Sequence, residues 1–357
     1  MKRVLITGAT GFVGSAIARR LLAEGVSVRA LVRERADTRN LAGLDLEHSR
    51  GDITDAVSVR KAMSGCDTVF HAAAMVAFWV PVKERQQFYH VNVEGTKIVM
   101  RAALDEGVER VVHTSTISTI GSYGEATPTN EEMDFNLWDM CMEYERSKYS
   151  AEFEAWRFGA RGLPLVVVLP AAPVGPRDIK PNPVGQLILN FIAGKIPGYI
   201  DGGANFIHVV DVADGHVLAA RKGRPGERYI LGDQNLTVPQ LFEALETISG
   251  VKAPKLKLPY RGALGLAHLL EFVANRITNR HPLLTAPMTK FSSLYYFVDT
   301  TKAKSELGFV PSRSVALGVW EALDWLLSNG YVTDKNLAGR VRAHLDQSAG
   351  SMRPAAA

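Results

Sequence analysis

Residues 1–15, MKRVLITGATGFVGS, decide how the rest of this chain is read. Val4, Leu5 and Ile6 form an apolar run long enough for a buried strand, and the apolar-periodic stretch Phe12–Leu22 predicts a helix. Between them stand Gly8, Gly11 and Gly14, spaced GxxGxxG. A strand, a glycine turn and a helix in immediate succession make a cradle for phosphate. Glycine lets the backbone turn sharply and approach a pyrophosphate, and the helix start offers unpaired N–H groups and a partial positive charge. A purely structural turn would use the same glycines. The position of these, after a strand and before a helix, favours the phosphate. Gly8, Thr10, Gly11, Phe12 and Val13 are therefore candidates for contact with a dinucleotide.

Working outward, Ser27–Val32 reads as a second strand that ends in Arg33-Glu34-Arg35. An acid at this tip suits the free ribose hydroxyls of NAD, and an arginine suits the 2′-phosphate of NADP. Val32 and Arg33 stand there, with Arg35 and Arg39 close by, so NADP is the preferred cofactor and NAD the alternative. Asp52, followed by Ile53 after a third strand, is placed either to reach the adenine or to cap a helix. The fourth strand, Asp67–His71, opens into Ala72-Ala73-Ala74, small enough for a flat cofactor to lie against the backbone. Asn92 begins NVEGT, early in a long helix running to about Glu106.

The fifth strand, Arg110–His113, ends in a hydroxyl-rich run, Thr114 to Thr119, at the edge where open parallel sheets bind ligands. Further on, Tyr144 and Lys148 stand four apart on one helix face. A phenol ordinarily titrates near 10, and a neighbouring ammonium would pull it toward neutrality. Thr116 or Ser115 could hold a substrate oxygen beside it. Tyr-x-x-x-Lys alone recurs by chance in helices; its meaning here comes from following a glycine turn and a strand-end Thr/Ser in that order.

The chain thus resembles the extended short-chain dehydrogenase/reductases, the superfamily of NAD-dependent epimerase/dehydratases, dihydroflavonol-4-reductase-like enzymes and 3β-hydroxysteroid dehydrogenases. The resemblance rests on TGATGFVGS (7–15), GDITD (51–55), HAAA (71–74), NVEGT (92–96), VVHTSTIS (111–118), YERSK (144–148), LPAAPVGP (169–176), IHVVDVADG (207–215) and DTTKAKSELGFVP (299–311). GPRDIKPNP (175–183) and GRPGERYILG (223–232) resemble most the bacterial hopanoid-associated sugar epimerases. The resemblance implies an α/β fold: a doubly wound, Rossmann-type parallel sheet of about seven strands with a smaller C-terminal substrate domain. It implies Tyr144 as acid/base, Lys148 as its partner and a ligand of the nicotinamide ribose, and Thr116 as the orienting hydroxyl. Thr114, Pro170, Ala171 and Val174 would border the cofactor, and Asn92 would join them. A homodimer through two long helices is implied as well.

Two departures narrow the activity. Where sugar-nucleotide dehydratases carry Asp-Glu for elimination, this chain has Ile117-Ser118, and where epimerases read VYG it has Thr119-Ile120-Gly121. With Arg33, these favour hydride transfer to or from a secondary alcohol or ketone over sugar epimerisation with a tightly held NAD. A redox sensor that only binds the dinucleotide would have no use for Thr116, Tyr144 and Lys148.

The 357 residues leave room for one large domain and a smaller one. We expect a cofactor domain over 1–172, with 205–232 returning to it, a substrate domain over 173–204 and 233–335, and a disordered tail over 346–357. A net charge of +4, spread along the chain, gives no nucleic-acid footprint. Cys66 and Cys141 form no disulfide framework or metal motif, and Cys141 reads as a half-buried helical residue. Lys2-Arg3 leads into a strand, with no secretory signal, and no apolar run reaches 18 residues, so a cytoplasmic protein is expected. The Pro/Gly-punctuated stretch from Asp178 to about Ala204, with a helix over Gly185–Ala193, suits a lid over a pocket. Tyr260–Ile277 is either a core helix of the small domain or a greasy, membrane-facing flap for a lipid-like substrate. Arg177, Lys180 and Lys195 are too few to insist on a nucleotide-sugar diphosphate.

Overall fold

The computed structural model describes residues 1–77, 80–278 and 284–352. Its strands are β1 (Arg3–Thr7), β2 (Ser27–Val32), β3 (Glu47–Arg50), β4 (Thr68–His71), β5 (Arg110–Thr114), β6 (Leu165–Pro170), β7 (Ala172–Val174), β8 (Gly203–His208), β9 (Arg228–Leu231), β10 (Gln234–Thr237) and β11 (Tyr295–Tyr296). The helices are α1 (Phe12–Ala23), α2 (Ala56–Met63), α3 (Arg85–Phe88), α4 (Gly95–Asp105), α5 (Glu143–Gly159), α6 (Pro183–Ile192), α7 (Val209–Lys222), α8 (Val238–Ser249), α9 (Tyr260–Val273), α10 (Ala286–Ser292), α11 (Val315–Ser328) and α12 (Lys335–Met352).

Seven strands form a parallel sheet in the order β3-β2-β1-β4-β5-β6-β9. The central strands are buried along nearly their whole length, as strands covered by helices on both faces are; every residue of β6 (LVVVLP) is buried. The chain builds outward from β1 to β3, then returns to lay β4 on the other side of β1. That reversal opens a crevice beyond the carboxyl ends of β1 and β4, where a doubly wound sheet binds its ligand. A second sheet joins β10, β8 and β11, with β7 also paired to β8. Beside it lies a separate core that includes Ile188, Phe191, Phe242, Val319, Trp320 and Leu323.

Four local expectations change. The cap of α2 is Asp55, whose carboxylate accepts from the Val57 and Ser58 amides, because Asp52 closes a tighter turn onto Thr54 N at 2.9 Å. Asn92 lies in a π-helical turn, Tyr89–Glu94, ahead of α4. The run Leu294–Val298 (LYYFV), which reads as a strand or extended segment, has only two residues of regular strand, in β11. The tail is helical to Met352, so 346–352 are not disordered: Val341 and Leu345 fill the second core and anchor the last turns of α12. Residues 353–357 lie outside the described residues.

Candidate active site

The glycine turn is shaped by close approach. Gly8 has φ +77°, and a Cβ there would fall 2.6 Å from the Ala73 backbone nitrogen, so β1 and the Ala72–Ala74 segment meet backbone to backbone. Gly14 sits in the first turn of α1, and its Cβ would lie 2.2 Å from the Gly8 carbonyl oxygen. Only glycine at both places lets the start of the helix close onto the turn. Gly11 N donates to Gly8 O at 2.9 Å, and Thr10, Phe12 and Val13 are half-buried around the same turn. Asn40, which sequence reasoning missed, braces the turn: its side-chain NH₂ donates to Thr10 O at 3.2 Å and to Arg177 O at 3.0 Å. No local pattern marks it, since its partners are thirty residues before and far beyond. Arg177, offered as a substrate clamp, thus has its backbone against the glycine turn; its φ of +75° is the one positive value at a non-glycine position among the described residues. Lys180 and Lys195 are exposed.

Arg33 is exposed just beyond β2, with no acid at the strand tip. Arg39 is committed elsewhere, in an ion pair with Asp37 at 2.7 Å. Asp52 and the buried Ile53 follow β3, and a Cβ on Gly95 would strike Ile53 at 2.7 Å.

At the end of β5, Thr116 caps a short 3₁₀ turn by accepting from Ser118 N. Ser115 faces the other way: its hydroxyl donates to Glu152 at 2.5 Å within the core, which removes it as a rival to Thr116. Helix α5 carries Tyr144 in its first turn and Lys148 one turn on. The Lys148 ammonium donates to the Thr114 carbonyl at 2.7 Å, and the Thr114 hydroxyl is bonded to His216 at 2.9 Å. Burial pulls Lys148 down to about 8, against the opposing charge of Glu152. Burial first, then the charge of Glu145, pushes the Tyr144 phenol above its ordinary range, and the nearby Thr116 hydroxyl pulls the other way. The expected lowering by Lys148 is not seen: the phenol is governed by desolvation of its charged form and by Glu145, with only Thr116 acting to lower it. A phenol that stays protonated at neutral pH is the form that can donate a proton.

Three buried histidines lie about this strand end and are neutral: His71 and His113 near Lys148, and His216 bonded to the Thr114 hydroxyl. Burial holds His71 down to about 3 and His216 to about 4, and His113 well below its ordinary value. The charge of Lys148 adds to the effect on His71 and His113. Asn92, a cofactor candidate, spends its amide on the protein: it pairs with Met75 N and Met75 O and donates to Ser147 Oγ at 2.9 Å. It ties the segment after β4 to α5. Pro170 and Ala171 are buried at the end of β6, while Val174 is turned into the second core. Cys141 precedes α5 and does not lie on it; its thiol is buried, donates to Trp138 O and is pushed up by burial.

Glu145 was also missed. It is 1% exposed, one oxygen accepts from Met142 N at 2.9 Å, and the other has no partner among the described residues. Burial pushes its carboxyl up from 4.5 to about 7. A folded-state value above the unfolded one means the folded protein holds this proton more tightly. That stabilisation is complete below about 4.5 and is lost as pH rises through about 7, a change of about 3 kcal/mol. Glu145→Gln cannot ionise, so between about pH 5 and 8 it is expected to lose less stability than the parent, by about 2–3 kcal/mol. Urea denaturation across that range checks this; parallel curves would rule it out.

A parallel sheet with a topological switch point, a glycine cradle at that point and a Thr, Tyr, Lys set at the adjoining strand end define the extended short-chain dehydrogenase/reductase class. Within it, the chain belongs to the NAD-dependent epimerase/dehydratase family, whose model matches residues 4–232. A Synechocystis sp. protein carrying the name dihydroflavonol 4-reductase is 37% identical, over 92% of this chain and 95% of its own. Sterol demethylase protein B of Methylococcus capsulatus is 34% identical, over 92% and 99%. Among solved structures, the UDP-glucose 4-epimerase of Thermus thermophilus in complex with NAD superposes with a TM-score of 0.71 at 23% identity, covering 90% of this chain and 98% of that one, which is a likeness of fold.

Proposed function

We propose that this chain is an NADPH-preferring oxidoreductase that moves a hydride between nicotinamide C4 and a secondary alcohol or ketone. The observation that carries the reading is the joining of Tyr144, Thr116 and Lys148 at the end of β5, one strand from the cradle at β1 and β4. The cradle suits a dinucleotide: Gly8 and Gly14 let β1, the turn and the start of α1 pack backbone to backbone, which brings the helix start to where a pyrophosphate would sit, and Ala72–Ala74 leave room for a flat ring system. Gly8, Thr10, Gly11, Phe12 and Val13 would hold the phosphates, Arg33 the 2′-phosphate, and Asp52 and Ile53 the adenine end. Ala72, Ala73, Ala74, Thr114, Pro170 and Ala171 would border the rest. When bound, the reduced cofactor supplies the hydride. Tyr144 gives the proton to the substrate oxygen, Thr116 orients that oxygen, and Lys148 holds the cofactor ribose and eases the loss of the phenolic proton.

Reduction is favoured over epimerisation for two reasons. Ile117-Ser118 and Thr119-Ile120-Gly121 stand where the dehydratases and epimerases carry Asp-Glu and VYG, and the strand tip offers Val32 and Arg33 in place of an NAD-binding acid. A hydrophobic substrate extends this reading, supported by the likeness to sterol demethylase protein B. The test is a direct comparison of cofactors. NADPH is expected to bind at least about tenfold more tightly than NADH and to be consumed with a hydrophobic ketone. Nicotinamide that co-purifies and is never consumed would support the epimerase instead.

A further inference from the structure

Helix α9 is built inside out. Its buried positions are alanines, Ala263 and Ala267, with Ala274 in the turn that follows, while Leu266, Leu269 and Phe272 stand 52%, 59% and 60% exposed. At about 100° per residue, Phe272, Gly265, Leu269, Gly262, Val273 and Leu266 share one arc of about 120°. Leu256 before the helix and Ile277 after it extend the exposed apolar surface. A helix that ordinarily covers a core shows the reverse order, large apolar side chains inward. A lone exposed leucine means nothing, but a contiguous patch marks a docking surface.

The rim of the patch says what docks. From Val251 to Thr278 the chain carries Lys252, Lys255, Arg261 and Arg276 against a single acid, Glu271, while Lys257 is paired with Asp201. A symmetric contact with a second copy would bring two such basic rims together. An anionic lipid surface would instead meet the cations with its headgroups and the leucines and phenylalanine with its acyl boundary. Among the described residues no helix is long and apolar enough to cross a membrane, and α9, with 14 residues, would lie in the interface plane.

We propose that α9 docks this protein on the surface of an anionic lipid bilayer. The position suits the apolar substrate of the proposed reaction, on which this last point rests. Helix α9 packs on α10, and α10 carries the Phe291 that stacks on Tyr296 beside the Tyr144 end of α5. A substrate dissolved in the bilayer would meet the enzyme on the side of α9 and α10.

Vesicle sedimentation of the full chain tests this. Vesicles of phosphatidylcholine alone are compared with vesicles in which phosphatidylglycerol makes up about a third of the lipid. Wild type is expected to pellet with the anionic vesicles and to be released by salt. The triple variant Leu266→Ser, Leu269→Ser, Phe272→Ser should bind at least about tenfold more weakly. Lys255→Gln with Arg261→Gln should lose about tenfold or more, since each surface cation is worth roughly fivefold. All these positions are exposed, so the thermal midpoint and NADPH affinity should be unchanged, and a fall in either would show misfolding of a variant. In that event the salt and phosphatidylglycerol dependence of wild type still decides. Equal pelleting with both vesicle types, or none, overturns the proposal. So does self-association of wild type in sedimentation velocity that the triple variant abolishes, which would assign the patch to a second copy. Failure of the oxidoreductase reading looks different: vesicles bind and no ketone is reduced.

Discussion

Tyr144→Phe is expected to lower turnover about 100- to 10,000-fold while leaving NADPH affinity nearly intact. The substitution keeps the ring and removes one oxygen. Packing at the start of α5 is preserved, and the environment of the phenol is set by burial, by Glu145 and by the hydroxyl of Thr116. The loss should fall on the chemical step, so kcat drops and the dissociation constant of NADPH does not. Lys148 is a different case, since its ammonium also holds the Thr114 carbonyl and its removal would disturb the end of β5. A Tyr144→Phe protein that turns over a ketone at the parent rate would remove Tyr144 from the reaction.

Gly14→Ala is expected to destabilise the protein by about 3 kcal/mol or more and to abolish measurable NADPH binding. Two effects oppose each other. Alanine in a helix is favoured over glycine by about 1 kcal/mol, but the added methyl would stand 2.2 Å from the Gly8 oxygen and 2.7 Å from the Gly8 carbonyl carbon. Both atoms are backbone in a turn already fixed by its contact with Ala73, so neither can rotate away. The steric term wins, and α1 must lift from the turn. Gly265→Ala in α9 is the control, because nothing lies within 4 Å of its added methyl. It should stabilise by about 0.5–1 kcal/mol. Urea denaturation and a fluorescence titration with NADPH separate the two variants, and equal behaviour would contradict the close-approach explanation of Gly14.

The sheet was legible because its signals are local. The run at Val4–Ile6 and the glycine spacing each specify an element within a few residues, and β2 takes the bounds its pattern predicts. The order glycine turn, strand-end threonine, Tyr-x-x-x-Lys located the candidate site for the same reason. What stayed hidden depends on residues far apart in the chain. Ser115 and Thr116 are neighbours with similar side chains, and only the position of Glu152 decides which faces the crevice. Asn40 gains its role from a loop more than a hundred residues later. The rise of the Tyr144 phenol comes from desolvation, which no spacing reveals, and the helicity of 346–352 comes from the seat of Leu345 in the second core. For α9, the composition left a core helix and an exposed flap open, and the burial of its alanines favours the flap.

The most direct measurement is the fate of the hydride. NADPH deuterated at nicotinamide C4 is incubated with the purified protein and a hydrophobic ketone, and the product is read by mass spectrometry. Transfer by this site predicts one deuterium on the carbinol carbon, one NADP⁺ formed per alcohol, and loss of both signals in Tyr144→Phe. A ketone left unreduced with the deuterated NADPH unspent, or deuterium transfer by Tyr144→Phe at the parent rate, would contradict it.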